Sequence, residues 1–369
     1  NAADGARLAV IPVGPHPTDL VLVPGPNDAP DGIPRFVARL FVACANTNSV
    51  VVLGITEGNQ LHLLDRLDVA PWDEAPLGST PTSLAISPDG KRLYVACSGN
   101  NLVAVFDIED YAADFVGFLT APPYPTTVRA LPGGKLLIAN SRSFSVMGAS
   151  DQPRPAFPPP PVSQWIPPPI RHVLYIFADR ASPELAREFT RLDQFQVLGD
   201  HPAETWQWAT AAIANHLIRR LPAGRAEQAL DAADPAAYPP AGYLWTNALS
   251  AGLPVRHYGL ARGRDPALAR YSAAPDEFFR EFPALARIGA LPRLLLLRAD
   301  SEAALSRIVE TVRQTPAWPH TAIFILPESG APVIISPWVK RGFVDSTRYN
   351  ALSLLRTIEL LLGLHPMTQ

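Results

Sequence analysis

Apolar and polar positions alternate with a period of two through the first 148 residues, in runs such as Leu93, Val95 and Val103, Val105. That period predicts half-buried β-strands. The runs also repeat. ARLFVACANTNSVVVLGI (38–55) superposes on GKRLYVACSGNNLVAVFDI (90–108), and GGKLLIANSRSFSVMG (133–148) begins the pattern a third time. Each copy follows a second matching piece: GPHPTDLVLVP, GSTPTSLAISPDG or YPTTVRALPGG. The unit therefore reads Pro-Thr, strand, PDG or PGG turn, strand, turn, strand, with hairpin signals at Asp89-Gly90 and Gly133-Gly134.

A strand unit recurring every roughly 40–60 residues is the pattern of a β-propeller blade. Two full blades, a partial third and one leading strand, Arg7 to Val13, are predicted. A closed propeller takes about four or more blades. Either further blades precede Asn1, which reads as a processed or trimmed end, or the partial propeller is closed by a partner or another chain.

ASDQPRPAFPPPPVSQWIPPP (149–169) is polyproline-like and reads as a stiff linker, with Phe157 and Trp165 able to dock on a neighbouring surface. From Ile170 the pattern becomes α/β. HVLYIF (172–177), LPRLLLLRA, TAIFIL and PVIISP are buried-type strands. Helices are predicted over SPELAREFTRLDQF (182–195), capped by Ser182, and over TWQWATAAIANHLIRRL. Two more follow, over DSEAALSRIVETVRQT, capped by Asp300 or Ser301, and over STRYNALSLLRTIELLLGL. Buried strands alternating with amphipathic helices indicate a mostly parallel sheet covered on both faces.

Composition narrows the function classes. At 369 residues the chain is too long for one ordinary core. A net charge of −3 leaves no basic field for nucleic acid or anionic lipid, and no apolar run approaches the roughly 20 residues of a membrane span. Cys44 and Cys97 sit at equivalent repeat positions and read as unpaired core residues. With 41 prolines and 28 Arg against 3 Lys, the bias fits a GC-rich and thermophilic source.

Taken together, the repeats resemble the YVTN-type β-propeller family. IRHVLYIF, LAREFTRLDQF, WATAAIAN, GYLWTNALSAGLPVRHYG and the closing stretch from Val333 resemble the phosphoesterase domain of the alkaline phosphatase superfamily. Bacterial exported proteins that fuse the two modules carry them in this order. The resemblance implies a propeller over 1–148, a Pro-rich linker over 149–169, and a phosphoesterase-like α/β domain over 170–369. It also implies an exported protein, periplasmic or at the cell surface.

Members of that superfamily hydrolyse phosphate esters with divalent metals such as Zn, Mn or Ca. This chemistry needs Asp, Glu and His ligands and a hydroxyl nucleophile at the carboxyl ends of the strands. Carried over by the resemblance, the loop after HVLYIF leaves Asp179 as its acidic position and the loop after TAIFI leaves Glu328. In HPAETWQWATAA (201–212), aligned from Asp193 and Phe195 to Trp208, the family's Ser falls on Pro202, its Asp on Glu204 and its His on Trp206. Pro202 and Trp206 are thus degenerate positions, while Asp179, Glu204 and Glu328 are vestigial metal-site positions.

The remaining candidates are sparse. Asp200, His172, His201 and His216 add titratable groups, but no pair has compact ligand spacing such as HxxxH. His257 and His365 read as ordinary hydrogen-bonding residues, and Ser329-Gly330 lacks the G-x-S-x-G elbow. On a helix, Trp206 and Trp208 cannot share a face, so one can fill a vacated site while the other meets a partner. Trp206 and Trp165 are the candidate partner contacts. The expectation is a non-catalytic binding or structural subunit of an exported assembly, without cofactor or catalytic residue and with other protein subunits as partners. The alternative is a metal-dependent phosphoesterase whose ligand loops lie outside this sequence.

Overall fold

A computed structural model describes residues 7, 9–25, 35–73, 75–109, 111–140, 143–148, 152–155, 157, 169–260 and 265–368. The chain divides into two compact units, Asn1–Val162 with Thr368–Gln369, and Ser163–Met367.

The first unit carries three antiparallel sheets. Strands β1 (Pro17–Pro24), β2 (Ala38–Cys44), β3 (Ser49–Ile55) and β4 (Leu61–Asp68) form one; β5 (Pro81–Ile86), β6 (Arg92–Cys97), β7 (Leu102–Asp107) and β8 (Asp114–Thr120) form the second. The third has three strands, β9 (Pro125–Leu131), β10 (Lys135–Asn140) and β11 (Phe144–Met147). Each is a meander of neighbours in sequence, consistent with propeller blades. Their entry is repeated in the backbone as well: the residue before each leading proline, His16, Thr80 or Tyr124, lies in the left-handed region at φ 60°, 52° or 54°.

Alternation along the strands builds the joints between sheets. Phe41, Ala43, Val50 and Val52 of the first sheet pack on Leu84, Leu93, Val95 and Cys97 of the second. Tyr94, Ala96, Val103 and Val105 from the opposite face of the second then pack on Val128, Leu136 and Ile138 of the third. Cys44 and Cys97 are free and buried, and burial pushes the Cys97 thiol up to about 12.

One sequence expectation fails in this unit. Residues 9–14 form no strand; Pro12 offers no N–H to a ladder, and the segment instead lays Ile11 and Val13 on Val42, Cys44 and Leu53. Where the proline-rich stretch is described, it pairs with the first unit, and Phe157 docks on a neighbouring surface. Phe118 N donates to Arg154 O (2.7 Å), Arg154 N returns the bond to Phe118 O (2.8 Å), and Phe157 N donates to Pro71 O (2.6 Å). Phe157 packs on Phe118 at 6.1 Å between ring centroids, so this stretch extends the edge of the second sheet. Trp165 lies outside the described residues.

The second unit is built on an eight-stranded mixed sheet. Its strands are β12 (His172–Arg180), β13 (Thr190–Leu192), β14 (Val255–Tyr258), β15 (Ser272–Ala273), β16 (Leu294–Ala299), β17 (Thr321–Ser329), β18 (Val333–Ile335) and β19 (Val344–Asp345). The order β15-β14-β16-β12-β17-β18-β13-β19 begins with a run of parallel pairs, and β18 is antiparallel to both its neighbours. Successive residues of β12 feed opposite cores: Val173, Tyr175 and Phe177 one, Leu174, Ile176 and Ala178 the other.

Helices α1 (Pro183–Glu188), α2 (Pro202–Ala211), α3 (His216–Arg220), α4 (Ala223–Asp231), α5 (Leu244–Ser250), α6 (Pro266–Ala269), α7 (Phe278–Arg287), α8 (Glu302–Arg313) and α9 (Ala351–Leu362) complete the unit. Those adding buried residues to the Val173 core include α2, α5 and α9; α7 and α8 cover the Leu174 core. Three predicted helices are shorter than the sequence suggests. The first stops at Glu188, because the next residues, Thr190–Leu192, pair with β18 and β19 as a strand. TWQWATAAIANHLIRRL is two helices: Ala212 turns left-handed (φ 56°), and Asn215 starts α3 with its side chain accepting from Leu217 N at 2.7 Å. The closing helix waits for Asn350, whose carboxamide caps Ser353 N. As predicted, Ser301 caps α8, its hydroxyl accepting from Ala304 N at 3.2 Å.

Candidate strand-end site

Parallel strands finish on the same edge of a sheet, and in open α/β folds that edge is where ligands are held. In register, Ala178 of β12 lies opposite Ala299 of β16 and Pro327 of β17, so Asp179, Arg298 and Glu328 project from three neighbouring strand ends. There the Arg298 guanidinium joins the two acids. Nη2 donates to Asp179 Oδ1, and Nη1 donates to Glu328 Oε1 at 3.1 Å. One guanidinium thus bridges the two carboxylates that the resemblance assigned to metal.

A cleft of about 470 Å³ opens beside this cluster, lined by Phe177, Phe195, Leu326 and Trp206 with Arg298 and Glu328. The start of α2 forms its other wall. Gly199 makes the approach, at φ 100°, where an added Cβ would lie 2.8 Å from Thr205 N. His201 then caps the helix: its Nδ1 accepts from Glu204 N (3.3 Å) and its Nε2 donates to Ile218 O (3.1 Å). Both ring nitrogens are committed to backbone, so neither is offered to a metal.

Glu204 reciprocates. Its Oε2 accepts from Asp200 N (3.0 Å) and its Oε1 from Trp208 Nε1 (3.3 Å), while Arg219 Nε lies 3.4 Å from Oε1. This carboxylate is 4% exposed and ties the residue before the N-cap to the first turn of α2. Asp200 lines the same cleft. Pro202 occupies the first position of α2, where its missing N–H costs nothing.

Trp206 is a core residue. It is 7% exposed and packs on Phe177 at 4.7 Å and on Trp245 at 6.5 Å, which corrects its assignment as a partner contact: the helical turn directs its ring inward against β12. Trp208, two positions on, points elsewhere and lies under the Arg219 guanidinium at 5.7 Å.

The other candidates do not converge. His172 Nδ1 donates to Pro292 O (2.8 Å) at the amino end of β12, and burial holds its pKa below the usual imidazole range. His216 is buried on α3, His257 on β14, and the His365 carbonyl accepts from Asn247 Nδ2. Ser329 Oγ donates to the Asp179 carbonyl (3.3 Å). Among the described residues no group of three or more His, Cys, Asp or Glu side chains could hold a metal ion. The donor set does not fit a catalytic metal, because its carboxylates already face arginines.

Two features escaped the sequence reading. Arg298 closes the apolar run LLLL at a strand end, and a charge in that place was the available signal. Asp265 is 7% exposed, and its Oδ2 accepts from Trp245 Nε1 (2.8 Å), Tyr238 OH (3.1 Å) and Thr246 Oγ1 (3.2 Å). No pattern in the sequence links those four positions.

No protein-family model matches the chain, and no curated protein matches it. Solved structures with partial similarity include a protein of the alkaline phosphatase superfamily from Vibrio parahaemolyticus. It is 9% identical, covers 54% of this chain and 69% of its own, and has a TM-score of 0.37. The periplasmic gluconolactonase of Pseudomonas aeruginosa is 23% identical over 34% of each chain, with a TM-score of 0.28. Hydrazine synthase of Kuenenia stuttgartiensis is 17% identical over 41% of this chain and 40% of its own, with a TM-score of 0.27. The chain spans two fifths or less of the length of these last two proteins.

Proposed function

We propose that the chain is a non-catalytic binding or structural subunit of an exported protein assembly, periplasmic or at the cell surface. In this reading a YVTN-type propeller module is joined to a phosphoesterase-like domain that has exchanged its metal chemistry for arginine pairing. The observation that carries the reading is Arg298, whose guanidinium bonds both Asp179 and Glu328. A divalent cation placed there would have to displace a charge already satisfied in two directions. Pro202 and Trp206 support the same reading, since neither brings a hydroxyl or a metal donor to the cleft wall. The mainly apolar cleft beside Arg298 is the natural place for a bound side chain or small apolar ligand.

The test is elemental analysis of the purified protein together with p-nitrophenyl phosphate turnover, with Zn, Mn and Ca each supplied. Metal well below one equivalent and turnover no faster than buffer are expected. Stoichiometric divalent metal, with turnover abolished by a chelator, would overturn the proposal.

A further inference from the structure

The cleft beside Arg298 has aromatic walls and acidic groups at its edge. Alternation along the strands decides which side chains reach it. Asp179 follows Phe177 on β12, Arg298 follows Leu296 on β16 and Glu328 follows Leu326 on β17, and all three leading residues belong to the Val173 core. Arg180 follows Ala178 to the opposite face of the sheet. Phe177 packs on Trp206 at 4.7 Å between ring centroids, and Phe195 and Pro327 extend the apolar lining. At about 470 Å³ the cleft has the size of a small-molecule site, roughly 300–1,000 Å³.

Its charges do not balance. Among the described residues lining the cleft, Arg298 alone carries a fixed positive charge. That charge is already shared between Glu328, at 3.1 Å, and Asp179. Asp200 is a third carboxylate with no cation of its own. Its N–H donates to Glu204 Oε2 (3.0 Å), and its carboxylate makes no hydrogen bond or ion pair among the described residues. The Thr205 hydroxyl on the same lining is likewise unbonded among them. His201 does not supply the missing charge, because its Nδ1 accepts from Glu204 N and its Nε2 meets Ile218 O. Glu204 and Arg219 offset each other at 3.4 Å.

We infer that the cleft binds a small organic cation with an aromatic body, of the arylalkylamine class. The ring lies among Phe177, Phe195 and Trp206, where apolar area is removed from water, and the ammonium meets the acidic edge formed by Asp200 and Glu328. Aromatic faces favour a nearby cation as well. A ligand carboxylate would bring a fourth anion to one guanidinium, and a neutral ligand would leave Asp200 unpaired. A bare metal ion would use Asp200 and leave the apolar walls facing water. This inference rests on the reading that the strand-end acids hold no metal, and it names the ligand class of the cleft beside them.

The test is calorimetry on the purified full chain, without added metal, using three probes that share one ring: 2-phenylethylamine, 2-phenylethanol and 3-phenylpropanoate. The amine should bind about fivefold more tightly than the alcohol, the scale of an exposed ion pair, and the acid should not bind measurably. Asp200→Asn combined with Glu328→Gln should bring the amine down to the level of the alcohol, whose own affinity stays unchanged, with the circular dichroism spectrum unaltered. Arg298→Gln should widen the gap between amine and alcohol. No binding of the amine, equal binding of amine and alcohol, tighter binding of the acid, or an amine preference that survives the loss of both carboxylates would each overturn the inference. Metal content and turnover separate the two proposals: a metal-free, inert protein without amine preference overturns only this one, and stoichiometric metal with turnover overturns the non-catalytic reading.

Discussion

The joints between the first unit's sheets and the strand ends of the eight-stranded sheet both place polar side chains in crowded surroundings, and they pair them by different chemistry. At the joints, hydroxyls and one carboxylate bond backbone groups of the next sheet. At the strand ends, two carboxylates bond one guanidinium group. A neutral clasp to backbone can be copied from sheet to sheet with small changes, Asp19 becoming Ser83, because the backbone partner never changes. An ionic cluster is a single solution: Arg298 serves its two acids only where three particular strand ends meet. The contrast teaches that a clasp to backbone tolerates a change of side chain from joint to joint, whereas an ionic cluster depends on every one of its members.

The largest effect should come from the residue that fills the second unit where the resemblance would place a metal ligand. Trp206→Ala removes a ring packed between Phe177 and Trp245 and should cost about 3–5 kcal/mol, the usual range for a large buried aromatic. Urea unfolding monitored by the second unit's signal measures it. A loss below about 1 kcal/mol would mean that the ring is dispensable and the site open to rebuilding. Next comes the clasp. Thr82→Val keeps the shape but deletes the buried hydroxyl that bonds Pro125 O and meets Ser98 Oγ at 2.6 Å; Ser98 Oγ still donates to Pro125 O at 2.5 Å, so the cost should be about 1 kcal/mol. Because the bond is neutral, the loss should be the same at low and high salt.

Arg298→Gln sharpens the comparison from the ionic side. The pairs it removes are partly exposed, with side chains 34% to 56% accessible, so stability should fall by no more than about 1 kcal/mol, and by less at high salt. The informative change is in binding. With the guanidinium gone, Asp179 and Glu328 face each other without a cation, and the variant should take up Mn2+ measurably by calorimetry where the parent does not. Equal Mn2+ binding by parent and variant would remove arginine pairing as a barrier to metal at these strand ends.

Much of the first unit was legible in the sequence because its information is repeated. The Pro-Thr entry, the PDG or PGG turn and the VAC or IAN strand each occur more than once, so noise at one copy is corrected by another. The same reading misplaced a strand at residues 7–13 where no second copy disciplined it and Pro12 interrupts the ladder. In the second unit the strands were legible from apolar runs such as LLLL and HVLYIF. Helix limits were less so, because Ala212 and Phe189 leave helical geometry for tertiary reasons that composition does not carry. At the site, Glu328 and Asp179 came only through the resemblance, while the residue that pairs with both, Arg298, was not singled out. Its importance lies in pairing across three strands, a relation visible only once the register is known.

The smallest effect belongs to the far end of β12, whose two ends differ as the two units do. Asp179 at one end is paired with an ion, whereas His172, seven residues earlier and roughly 23 Å away along an extended strand, donates to the neutral carbonyl of Pro292. Burial lowers the His172 pKa from its ordinary 6.5, and burial lowers that of His257 likewise. In each case the unfolded chain takes up a proton at higher pH than the folded one. The stability contribution is therefore intact above about pH 6.5 and is lost as pH falls through the depressed folded values. Melting temperature followed from about pH 7.5 down to 5 should decline, and His172→Gln should flatten the decline while leaving the value at the upper end nearly unchanged. A slope identical to the parent's would assign the acid sensitivity of the sheet to His257 alone.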